Sequence, residues 1–205
     1  MHGEIYRHHE STRPLFDLLK LGTTDLQRKI ETVLPVTRND LTFSSYREFL
    51  SRLLGFYIPV EEHISDFLSH QTDPFQMEKR SKVPLLISDL RALSAPMDEI
   101  HQIPICGAIK EISSMAELVG VLYATESLTL SSAHVLDHLR RNIQLNENQI
   151  KFYSGYKEGT HRMWVLLKAT SEAYVNEQGK ETAVTRARST FIKFKNWMKM
   201  SEVQV

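Results

Sequence analysis

Apolar residues recur every three to four positions along most of this chain, and no stretch alternates at every second residue as a half-buried strand does. A period of about 3.6 residues admits helices that bury one stripe each and leaves nothing from which to build a sheet. The expected fold class is therefore all-α. The first helix starts after Ser11-Thr12-Arg13-Pro14, where cap residues precede a proline suited to an early helical position. It carries Leu15, Leu19, Leu26, Ile30 and Val33, and Pro35 marks its end.

A second helix starts near Asp40 or Thr42, with Phe43, Tyr46, Leu50, Leu53, Leu54 and Tyr57 on one face. Pro59 is expected to kink or interrupt it before the stripe resumes at Val60, Ile64, Phe67 and Leu68. Gln71 to Pro74 is a connection, and Pro84 opens a short helix through Leu93. Ser94 to Gly107, with Pro96 and Pro104, reads as loop. Ser114-Met115-Ala116-Glu117 has capping-box spacing ahead of a long helix reaching Val135 and Leu139. Gly155 and Gly159 punctuate the next connection. A helix around Trp164 to Val175 follows, then a last one bearing Val184, Ala187, Phe191, Phe194 and Met198.

With 205 residues and 41% hydrophobic content, the chain can enclose one sizeable core, so 1–205 reads as a single domain with 1–13 as a flexible N-terminal segment. Its 25 basic and 25 acidic residues cancel, which argues against nucleic acid or an anionic membrane as partner. The single Cys106 has no internal disulfide partner. Its apolar neighbours Ile103, Ile105, Ala108 and Ile109 predict a buried thiol. The start of the chain lacks an apolar signal-peptide core, and no run of about 20 apolar residues follows, so a cytoplasmic protein is expected.

Several blocks, in fixed order, resemble the haem oxygenase family, particularly its bacterial, biliverdin-forming members. They are Leu19 to Glu31; Leu41-Thr42 with Tyr46, Leu50 and Gly55-Phe56-Tyr57-Ile58-Pro59-Val60-Glu61; and Lys79-Arg80-Ser81 with Asp89-Leu90. Gly120-Val121-Leu122-Tyr123 with Glu126 and Thr129-Leu130, Tyr156 to Trp164, and Thr190-Phe191 with Trp197 complete the series. The resemblance spans about nine-tenths of the chain, as one continuous domain would. It implies haem held between a first helix supplying a proximal histidine and a glycine-rich distal helix. It also implies oxygen-dependent cleavage to biliverdin, iron and carbon monoxide, with electrons from a redox partner.

Both walls of that implied pocket are altered. Lys20, Thr23 and Glu31 match the family pattern, with Lys20 placed to pair with a propionate, but Gln27 stands where the histidine is expected. A carboxamide oxygen is a poor iron ligand beside an imidazole nitrogen. On the distal side Ser127, Ser131 and Ser132 stand where the family has glycine, around Leu128, adding a side chain at each place. The resemblance thus predicts a divergent member that has lost standard haem cleavage and holds a tetrapyrrole or another apolar ligand in a modified pocket. Two alternatives stand beside it: an active haem oxygenase with another axial ligand, His134 first among the candidates, and a non-enzymatic signalling or interaction scaffold.

Other chemistry-bearing residues read more plainly. His8 and His9 lie near a terminus and are expected to be solvated. His134 and His138 share a helix face at a spacing that suits a metal, as well as two partly exposed helix histidines. Glu158-Gly159-Thr160-His161 has the E-x-x-H spacing of di-iron proteins but lacks a second copy, since Asp98-Glu99-Ile100-His101 offers only an aspartate. Arg186, Arg188, Lys193, Lys195 and Lys199 predict a solvated face on the last helix, with docking of an acidic redox partner as the alternative.

Overall fold

The computed structural model describes residues 13–130 and 132–199, apart from the side chains of Thr37, Leu130 and residues 132–134. The helices in chain order are α1 (Leu15–Glu31), α2 (Phe43–Leu68), α3 (Val83–Ala92), α4 (Met97–His101), α5 (Met115–Leu130), α6 (Ser132–Asn142), α7 (Lys151–Ser154), α8 (Thr160–Tyr174) and α9 (Glu177–Lys199). No strand occurs among the described residues, and none of their helices is long and apolar enough to cross a membrane. Residues 1–12, with His8 and His9, lie outside the described part.

One continuous core links all the long helices, including Leu15, Leu19, Tyr46, Leu50, Phe56, Leu118, Leu122, Phe191 and Phe194. Helix α9 packs most extensively on α5 and α1. Small residues permit the close approach. A Cβ on Gly120 would lie 2.4 Å from the Ala183 carbonyl oxygen and 2.9 Å from the Ala187 nitrogen, so α5 and α9 meet nearly backbone to backbone. Gly22 of α1 makes room for the Val184 side chain, whose Cγ1 would lie 2.6 Å from a Cβ at that position.

Local signals explain the helix starts. Pro14 precedes α1, and Thr42 and Ser45 form a reciprocal cap on α2, with Ser45 N–H donating to Thr42 Oγ1 at 3.1 Å and Thr42 N–H donating to Ser45 Oγ at 2.9 Å. At α5, Glu117 N–H donates to Ser114 Oγ while the Glu117 carboxylate accepts from Ser113 N–H and Oγ–H, both at 2.8 Å, and from Lys110 Nζ at 2.6 Å. Burial pushes the Glu117 carboxyl up, but these donors outweigh it and hold the group at about 2. A carboxyl depressed in the folded state adds stability that is complete above its ordinary value near 4.5 and is lost as pH falls through about 2. Glu117→Gln should accordingly cost about 1–3 kcal/mol at pH 7, with the gap to the wild type closing below about pH 4 in acid-titrated thermal melts.

Two expectations need correction. Pro59 does not end the second helix, which runs unbroken from Phe43 to Leu68. Proline removes the N–H that would serve the Gly55 carbonyl, and Cys106 N–H takes its place at 2.9 Å. The same loop lies directly on Gly55, where a Cβ would meet the Pro104 carbonyl oxygen at 2.2 Å. Second, the stretch from Ser94 to Gly107 is not loop throughout, since α4 forms one short turn behind Pro96. Cys106 itself is buried, and burial raises its thiol.

Candidate functional site

Helix α1 presents Thr23 and Gln27 one turn apart on its inner side. Thr23 is fully buried, and its hydroxyl donates to the Leu19 carbonyl at 2.7 Å. The Gln27 amide nitrogen then donates to Thr23 Oγ1 at 3.1 Å and, across to α5, to the Tyr123 hydroxyl at 3.4 Å. Tyr123 is fixed by aromatic packing, with Phe16 and Trp164 in contact at 5.5 and 5.7 Å between ring centroids. The amide is thus held by its own helix and by α5.

Beside Gln27 lies a cavity of about 410 Å³ between α1, the turn after it, α5, α6 and α9. That volume falls within the range of small-molecule pockets, roughly 300–1,000 Å³. Its wall is largely apolar, with Ile30, Leu34, Val36, Val135 and Phe191. Polar residues in the wall are Gln27, Glu31 and Ser127, and Tyr153 also borders it. Ser127 keeps the space open because its hydroxyl donates to the Tyr123 carbonyl at 2.6 Å, folding the added side chain back along its own helix. Leu128 completes that side of the wall.

Of the residues singled out in the sequence, Gln27, Glu31, Ser127 and Leu128 line this cavity, and Thr23 stands behind Gln27. Lys20, two helical turns before Gln27, is exposed and contributes no wall. Ser131 lies outside the described residues, and the side chains of Ser132 and His134, at the start of α6, lie outside them too. Val36, Val135, Tyr153 and Phe191 were not legible as wall residues, because an apolar stripe looks the same whether it meets another side chain or a void.

His138 is satisfied locally, with its ring nitrogen 2.9 Å from the Arg38 carbonyl oxygen and Asn142 at 3.0 Å. Glu158 and His161 are exposed, and among the described residues no group of three His, Cys, Asp or Glu side chains is arranged to hold a metal ion. The face expected to be solvated on α9 is only partly so. Arg186 is 6% exposed, and Arg188 reaches α1 to bond Asp25 at 3.1 Å and the Gly22 carbonyl.

Behind the cavity, motif residues from distant parts of the chain converge on Glu126 of α5. Its carboxylate accepts from Tyr156 at 2.7 Å and lies 3.4 Å from Lys82 Nζ and 3.6 Å from Arg80 Nη1, both cations being buried. Lys82 Nζ also donates to Tyr156 Oη at 2.9 Å. Burial pulls the Lys82 ammonium down and Glu126 opposes it, whereas burial and then Glu126 push the Tyr156 phenol up. Glu61 anchors the same segment through the Lys82 and Val83 amides, and Asp89 accepts from Lys151 and Phe152 N–H at the start of α7, at 2.8 and 2.9 Å. Burial lifts Asp89 to about 6 despite those bonds. Lys82 escaped sequence reading because nothing local distinguishes it from a surface lysine. The cluster clamps α3, α5 and the turn at Tyr156.

A family model described as "Heme oxygenase" matches residues 13–200. The chain belongs to the haem oxygenase family. The match covers every helix of the structure, and the all-helical architecture accords with it. Among curated proteins, none matches the chain. Membership in the haem oxygenase family points to haem or a related tetrapyrrole as the class of molecule to test against the cavity at Gln27.

Proposed function

We propose that this chain is a divergent haem oxygenase family member, close to the bacterial type, that has lost standard haem cleavage and uses its modified pocket to hold a tetrapyrrole or another apolar ligand. The single observation carrying this is Gln27. It stands where the family resemblance calls for the iron-binding imidazole, and its amide nitrogen is engaged by Thr23 and Tyr123. An apolar cavity of about 410 Å³ suits a flat hydrophobic ring system, but the donor beside it does not suit iron. The apolar wall therefore suits part of a flat ring system, and the residue beside it does not suit axial ligation of iron. A cytoplasmic setting accords with the unpaired, buried Cys106.

The test is a parallel titration of the purified protein with haemin and with metal-free protoporphyrin. If iron contributes nothing, the two should bind within about threefold of each other, and reductant with oxygen should leave the haemin complex unbleached. A sharp one-to-one Soret band that bleaches to biliverdin would instead establish a working oxygenase with another axial ligand, His134 being the first residue to replace. Absence of binding by either macrocycle would favour a scaffold role.

A further inference from the structure

A second cavity, of about 160 Å³, lies between α2, the segment 108–112, α5 and α9, and shares no lining residue with the one at Gln27. Phe56, Val60, Ile112 and Val121 make its apolar wall. An apolar cavity of about 150 Å³ accepts a benzene ring, so this one has room for a single aromatic ring or a short branched chain.

Its charged lining is one-sided. Arg186 and Lys193, one helical face apart by seven residues on α9, and Lys110 all border it, and no acidic residue does. Arg186 is 6% exposed, makes no ion pair among the described residues, and uses Nη2 on the Lys110 carbonyl. Its Nε–H is sealed from solvent with no hydrogen-bond partner. The carboxylate whose charge acts on it, Glu117, is already engaged by Lys110 and Ser113. Besides that enclosed Nε–H, Nη1 makes no hydrogen bond among the described residues, so the guanidinium keeps a donor for an acceptor and its Nη1–Nη2 edge matches a carboxylate.

We propose that this cavity is a binding site for a small aryl or branched-chain carboxylate, the apolar body resting on Phe56, Val60 and Val121 and the carboxylate taken by Arg186 with Lys193 at the mouth. Nothing in it depends on what occupies the pocket at Gln27. A site of this kind on α9, whose other face walls the first cavity through Phe191, would let a carboxylate metabolite bear on the same helix.

The probe is benzoate, followed by amide chemical shifts of the full-length protein, with benzyl alcohol as the neutral counterpart of like shape. Saturable shifts centred on Val60, Arg186 and Thr190 are expected, with benzyl alcohol at least about tenfold weaker and Lys193→Met weakening benzoate about threefold or more. Arg186→Lys, which keeps charge but removes the fork, should cost about tenfold; should that variant fail to fold, the wild-type comparison of the two probes still decides. Equal affinity for the two probes would reduce the site to an apolar void. Shifts centred on Gln27, or none saturating below about 10 mM, would overturn the assignment.

Discussion

Gly120→Val should lower stability by about 3 kcal/mol and the melting temperature by roughly 6–12 °C. The atoms that a Cβ would strike are the Ala183 carbonyl oxygen and the Ala187 nitrogen, which belong to helix backbone and cannot rotate away. Relief would require α9 to move off α5 as a body. That movement would open the most extensive helix contact in the molecule and disturb Phe191 and Phe194 at once. Gly107→Ala is the internal control, because a Cβ there meets nothing within 4 Å; its effect should stay within about 0.5 kcal/mol. Differential scanning calorimetry of the pair checks both values, and equal melting temperatures would show that the α5–α9 seam is looser than its geometry.

The second large effect is a gain. Gln27→His should raise haemin affinity at least about tenfold over the wild type and sharpen the Soret band, while leaving protoporphyrin binding nearly unchanged. Thr23 and Tyr123 already offer oxygens to a side chain at this position, so an imidazole placed there can keep a hydrogen-bonded orientation. The iron-dependent difference between the two macrocycles is what identifies ligation. Should haemin and protoporphyrin rise together, or neither respond, then the amide does not account for the proposed loss of iron ligation, and Ser127→Gly is the next variant to test.

Element type followed closely from the spacing of Leu15, Leu19, Leu26 and Ile30 on α1 and of Tyr46, Leu50, Leu53 and Tyr57 on α2, because a helix that must bury one face writes its period directly into the chain. Helix ends were legible where the cap is local, as at Thr42 and at Ser114 with Glu117. The continuity of α2 through Pro59 was not legible because its remedy is not local: the replacement donor is Cys106, a residue that neither period nor propensity ties to Gly55. The site divides in the same way. Gln27, Glu31, Ser127 and Leu128 are recognisable from ordered motifs, whereas Lys82 and Arg186 resemble solvated side chains until packing encloses them. Burial of a cation depends on what arrives from elsewhere in the chain, and a linear pattern carries little trace of it.

The hydrogen bond from Cys106 to the Gly55 carbonyl also sets an order of events for a chain growing from its N-terminus. The first half of α2 can wind as soon as it emerges, but the turn across Pro59 lacks an internal bond until the segment carrying Cys106 has been synthesised and laid against it. Completion of that helix is thereby made conditional on a distant piece of polypeptide, which adds one more non-local closure to a bundle whose last helix already packs on its first.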